Sequence, residues 1–176
     1  MTQPTRFTVV GAGNGGRAMA AHLALMGAEV TLYNRTWEHI AFISQRGGID
    51  LESPEMGPRG FGALAKVSAD IQEAVKDAEV IMIVLPSSAH AEVARSMAPV
   101  LKDGQTIILH PGRTFGAIEF DAVRRASGCT ADITVAEAET FIYASRADGP
   151  AAARIFRIKE AVPLAALPAT RTGSVL

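Results

Sequence analysis

Two rhythms of hydrophobic and polar positions alternate along the first 140 residues. Short apolar runs give way to longer stretches in which apolar residues return every three or four positions. Residues 7–10 form an apolar run of the kind expected for a strand buried on both faces of a parallel sheet. From 14 to 26, Met19, Leu23 and Met26 recur at helical spacing, and Gly27 supplies a stop. Residues 29–33 make a second strand. Thr36 predicts the N-cap of a helix running through Arg46 and closed by Gly47 and Gly48. Five glycines and two prolines between 47 and 63 predict a loop, with a short strand near 49–51.

Beyond the loop the alternation resumes. Strands are predicted at 66–68, 79–85, 106–109 and 133–136, with helices at 71–77, after Pro86 through about Leu101, and at 115–126. Ser87 or Ser88 is the expected cap of the second of these helices. After about residue 140 the pattern changes. Residues 141–145, 154–159 and 162–167 read as strands joined by short turns, Asp148-Gly149-Pro150 among them. The expectation is an α/β fold with a doubly wound parallel sheet and an antiparallel meander appended to its edge near the C-terminus. In domain terms, 1–140 is the α/β unit and 141–176 a β-rich extension of it.

The junction of the first strand and helix, Val10-Gly11-Ala12-Gly13-Asn14-Gly15-Gly16, carries the most chemistry. Gly11, Gly13 and Gly16 fall on G-x-G-x-x-G spacing between a strand and a helix, the context a dinucleotide requires. The first glycine allows the tight turn, the second lets backbone approach a pyrophosphate, and the third lets helix and strand pack closely. Free N–H groups at the helix start, with the positive end of its dipole, then face the phosphates. The unit is therefore Rossmann-type, with Gly11, Gly13, Asn14, Gly15 and Gly16 as pyrophosphate contacts.

The end of the second strand distinguishes the cofactors. An NAD site places Asp or Glu there against the ribose hydroxyls, whereas this chain has Asn34, Arg35 and Thr36. A neutral residue beside an arginine suits a 2′-phosphate, which Arg35 can contact in a charge-assisted, bidentate manner. The pattern favours NADP, with NAD as the alternative. Pro86 and Ser87, and His110 before Pro111-Gly112, end the next strands and are expected to border the nicotinamide half. His22 reads as a packing residue, His39 as surface, and His90 as surface or cleft-facing. His110 reads first as a structural histidine. Arg124 and Arg125 read as solvated charges.

Composition narrows the classes further. The chain of 176 residues is 48% hydrophobic and 20% charged, with a formal net charge of -1. No global field attracts nucleic acid or an anionic membrane. The lone Cys129 excludes a disulfide within the chain, and no apolar run is long enough to span a bilayer. A cytoplasmic protein is the expectation. No His, Cys, Asp or Glu spacing suggests a metal site.

The glycine turn, together with Ile83-Val84-Leu85-Pro86 and Ile107 to Gly112, resembles the opine (octopine/nopaline type) dehydrogenases. Gly116 to Phe120 and Ala136 to Thr140 look like that family as well. The resemblance implies an NAD(P)H-dependent oxidoreductase that joins an amino acid to a 2-oxo acid by reductive condensation. It also implies a helical second domain bearing the catalytic His-Asp pair, and this chain stops where that domain would begin. No residue here is expected to be catalytic. The other readings are a stand-alone NAD(P)-binding or sensing module, or the cofactor domain of an enzyme similar to glycerol-3-phosphate dehydrogenase or ketopantoate reductase. An apolar face left for the second domain makes a homo-oligomer an expectation too.

Overall fold

The computed structural model describes residues 3–54, 56–113 and 115–175. In chain order its elements are β1 (Arg6–Val10), α1 (Asn14–Leu25), β2 (Glu29–Tyr33), α2 (Ala41–Arg46), β3 (Gly48–Glu52), β4 (Gly60–Ala63), β5 (Lys66–Ser68) and α3 (Ile71–Val75). Then follow β6 (Val80–Ile83), α4 (His90–Met97), β7 (Thr106–Leu109), α5 (Gly116–Ala126), β8 (Thr134–Ala138), β9 (Tyr143–Ala147), β10 (Ala152–Ile158) and β11 (Leu164–Leu167).

The main sheet has the order β11-β8-β7-β6-β1-β2-β5. Six strands run parallel in the doubly wound order, and β11 closes the edge antiparallel to β8. Val9, Val10, Ile81, Ile83, Ile107 and Leu109 are fully buried, because helices cover both faces of these strands. One core lies under α3, α4 and α5, around Phe120, Met97 and Ile107; the other lies under α1 and α2.

The expected meander divides between two sheets. β11 joins the main sheet, while β9 and β10 build a second sheet of order β4-β3-β10-β9. The stretch read as a loop with a short strand near 49–51 supplies its other half: that strand is β3, which pairs antiparallel with the unexpected β4 and parallel with β10. The second sheet covers α1, which packs against β3, β4, β9 and β10 as well as β1 and β2. Four consecutive α1 residues, Ala18 to Ala21, are consequently buried. A helix enclosed from both sides needs small residues. A Cβ at Gly62 of β4 would come 2.6 Å from the Ala21 Cα, so the sheet lies directly on the helix backbone.

Two expected caps are not made. Residues 37–39 form a 3-10 turn rather than the start of a helix, and the Thr36 hydroxyl caps nothing. Ser87 opens a second 3-10 turn, and neither Ser87 nor Ser88 caps α4, whose N-cap is Ala89. Both turns follow directly on a strand end, and the backbone leaves the sheet before a regular helix begins. Among the described residues no helix is long and apolar enough to cross a membrane.

Candidate functional site

β1 and β6 are adjacent, and the strand order reverses between them, so the crevice beyond their C-terminal ends is the expected ligand site. The glycine turn lies there. Gly11 has φ +111°, and a Cβ on it would sit 2.5 Å from the Val84 carbonyl oxygen. A Cβ on Gly16 would overlap the Gly11 carbonyl oxygen, and one on Gly15 would come 2.6 Å from the Phe141 ring. Gly13 differs from these three: a Cβ there meets nothing within 4 Å. Protein packing thus requires three of these glycines, whereas Gly13 leaves free space beside the backbone.

That space adjoins the start of α1. Its N-cap is Gly13, without a side-chain cap and without an acidic residue in the first turn. The Arg17 N–H makes the first helical bond, to the Gly13 carbonyl at 3.1 Å. The N–H groups before it are the orphan donors of a helix terminus. Ahead of the cap, the Gly11 N–H donates to the Tyr33 carbonyl at 2.9 Å and the Ala12 N–H to Asn34 Oδ1 at 3.3 Å. An uncapped terminus with no competing carboxylate, facing open space, fits a pyrophosphate. The Asn14 Oδ1 is engaged by the second sheet, accepting from the Ala147 N–H at 2.8 Å.

A cavity of about 370 Å³ extends from Gly11 between the end of β2 and α4, walled by Asn34, Arg35, Thr36, Pro86 and Glu92. Asn34 is engaged on both sides, its Nδ2 donating to the Thr36 carbonyl at 3.0 Å. Arg35 reaches across to Glu92 at 3.2 Å. Pro86 lines the same cavity, and Ser87 is exposed beside it.

His110 stands at the other end of the crevice, at the tip of β7. Its Nε2 lies 3.2 Å from the Met82 sulfur, its ring meets Phe141 edge-on, and Nδ1 has no partner among the described residues. Burial pushes its pKa down to about 4, so the ring is neutral near pH 7. His90 is not on the surface: it is fully buried, its ring nitrogens are unpartnered among the described residues, and burial lowers its pKa. Arg124 is not solvated either. Its side chain is buried, with Nε donating to Asp121 at 2.8 Å and Nη1 to the Ala131 carbonyl at 2.8 Å.

Sequence reasoning overlooked two supporting residues. Arg17 donates to the Ala12 carbonyl at 2.9 Å and to the Gly149 carbonyl at 2.8 Å, tying the glycine turn to the second sheet. Glu137 of β8 accepts from the Ala117 N–H at 2.7 Å, capping α5 from 20 residues away. With Arg113, Phe115, Glu139 and Leu164 it also lines an open cavity of about 560 Å³ beyond β7 and β8. Nothing in the local sequence marks either residue, because their partners Gly149 and Ala117 lie far off in the chain.

The strand order, the glycine turn and the uncapped helix together define a Rossmann-type nicotinamide-dinucleotide domain of an oxidoreductase. Residues 6–127 match the NAD-dependent glycerol-3-phosphate dehydrogenase N-terminus, and the chain belongs to that family. Over all 176 residues it is 38% identical to an opine dehydrogenase of Arthrobacter sp. (strain 1C), of which it covers 48%. Among solved structures, octopine dehydrogenase with NADH and L-arginine superposes with a TM-score of 0.81 at 18% identity, over 92% of this chain and 42% of that one. Yersinopine dehydrogenase with NADP+ bound gives 0.78 at 16%, over 93% and 41%. The chain thus spans about half the length of the relatives it matches.

Proposed function

We propose that this chain is the NADP(H)-binding half of an opine-dehydrogenase-like oxidoreductase, which condenses an amino acid with a 2-oxo acid. The observation that carries the opine reading is the extent of the similarity. The glycerol-3-phosphate dehydrogenase match ends at residue 127, whereas the likeness to the Arthrobacter enzyme continues through β8, β9, β10 and β11. The same strands support reading 141–175 as part of one domain with the rest, since β10 pairs with β3 and β11 with β8. A cytoplasmic setting accords with a single, buried cysteine.

When bound, the cofactor supplies the hydride. The chain's own residues hold and orient it. The N–H groups from Gly13 to Gly16 face the pyrophosphate, and Gly11 and Gly16 keep turn and helix in register. Arg35 and Thr36 read the adenosine ribose from the cavity wall. Pro86, Ser87 and His110 border the nicotinamide end. Burial keeps His110 neutral, so it adds no charge there. Recognition of the amino acid and the 2-oxo acid, and the acid–base chemistry, fall to groups outside this domain.

Arg35 supports NADP(H) over NAD(H), because no acidic side chain ends β2 and a guanidinium lines the cavity instead. Arg35→Ala is expected to weaken NADPH binding about tenfold or more while changing NADH less than about twofold. Fluorescence titration of the two reduced cofactors checks this. Equal losses for both would rule out the 2′-phosphate assignment.

A further inference from the structure

Arg35 does not wait free for a phosphate. Its Nη1 lies 3.2 Å from Glu92 Oε1 and 3.5 Å from Oε2, so both carboxylate oxygens face the guanidinium. The two side chains come from opposite walls of the adenosine cavity. Arg35 follows β2, and Glu92 stands in the first turn of α4. Ala89, Glu92, Val93 and Ser96 share the helix face that lines this cavity, so the position of Glu92 is fixed by helical geometry. Asn34, at the position where an acid would read the ribose, spends its amide on the Ala12 N–H and the Thr36 carbonyl. Glu92 is therefore the carboxylate this cavity possesses, delivered from the wall opposite the usual one.

We propose that Glu92 is a specificity-determining residue that competes with the cofactor's 2′-phosphate for Arg35 and so limits the preference for NADPH over NADH. This rests on the reading of Arg35 as the 2′-phosphate contact. The side chains are 78% and 60% exposed, and an ion pair so exposed is weak and readily exchanged. A phosphate ester brings more charge and a bidentate geometry, so it displaces the carboxylate. Displacement therefore costs the Arg35–Glu92 ion pair as the phosphate binds. A cofactor with a free 2′-hydroxyl leaves the pair intact.

Glu92→Gln keeps the shape of the side chain on an exposed helix face and removes its charge. The variant is expected to bind NADPH about three- to tenfold more tightly, with NADH altered less than about twofold. The gain shrinks as salt rises from about 0.05 to about 0.5 M, because the groups are exposed. In the Arg35→Ala background the same substitution should yield little gain, since the competition runs through Arg35. Circular dichroism confirms that each variant is folded before titration. If Arg35→Ala discriminates between the cofactors but Glu92→Gln leaves their ratio unchanged, the competition is overturned and the NADP(H) reading survives. An equal gain with and without Arg35 also overturns it, leaving plain repulsion as the cause. If Arg35→Ala affects both cofactors alike, both readings fall.

Discussion

Gly13 and Gly16 are three residues apart in one motif, yet different constraints select them. The Gly16 position is closed by the Gly11 carbonyl, so strand and helix have no room for a side chain between them. Gly13 is surrounded by space and has φ -76°, a value any residue adopts. Gly16→Ala is expected to cost about 3 kcal/mol or more, because backbone must move to admit the methyl group. Gly13→Ala should change stability by no more than about 1 kcal/mol, but lower dinucleotide affinity at least about tenfold by occupying the pyrophosphate's approach. Thermal melts read beside cofactor titrations check the pair. If Gly13→Ala melts early or binds normally, the space beside it is not the phosphate site. The motif's spacing already assigns Gly16 to helix packing and Gly13 to the ligand's approach, and the space around each residue accords with that division.

Among the elements, α5 shows how a helix start is supplied from elsewhere in the chain. Its N-cap, Phe115, has φ +67° and offers no side-chain acceptor. Glu137 fills the place from β8, and a Cβ on Gly112 would run into the Glu137 side chain, so the turn after β7 rests on the same residue. Glu137→Ala is expected to destabilise the protein by about 1–2 kcal/mol and Glu137→Gln by less, because Gln retains an acceptor but loses the charge at a helix N-terminus. Amide exchange at Ala117 should quicken in the Ala variant. Unchanged protection there would mean that Glu137 is not the cap. The strands and helices of the main sheet were legible because their apolar periods differ. The caps were not, since Thr36, Ser87 and Ser88 have the right chemistry but stand beside 3-10 turns. β3 was legible as the short strand near 49–51, while β4 stayed hidden behind its glycines, of which Gly62 admits Ala21 of α1 rather than flexibility.

For the molecule as a whole, three histidines, His22, His90 and His110, have pKa values lowered by burial. His110 falls furthest, to about 4. A histidine that stays neutral when folded takes up a proton only on unfolding once pH drops below about 6.5, so the unfolded state binds more protons there. Stability is therefore level above pH 6.5 and declines as pH falls towards 4. His110 by itself accounts for a loss of about 2 kcal/mol between pH 7 and pH 5. Urea unfolding at the two pH values tests this, with His110→Asn expected to flatten the decline. Stability that is level from pH 7 to pH 5 would show that the ring is not held neutral.

Local spacing in the sequence was enough to determine the doubly wound sheet, the glycine turn and the absence of an acid after β2. Strand and helix periods, and the steric demands of a tight turn, act over a few residues and survive in any context. Only the tertiary structure decided how β9 and β10 leave the main sheet to cover α1, which distant carboxylate caps α5, and that Arg35 faces Glu92. The last two of these contacts join positions 20 residues apart for Ala117 and Glu137 and 57 apart for Arg35 and Glu92. Their energies depend on burial and approach, which exist only once the layers have packed. The glycine turn that announces a dinucleotide is local, whereas the contact between Arg35 and Glu92 exists only across the folded cavity.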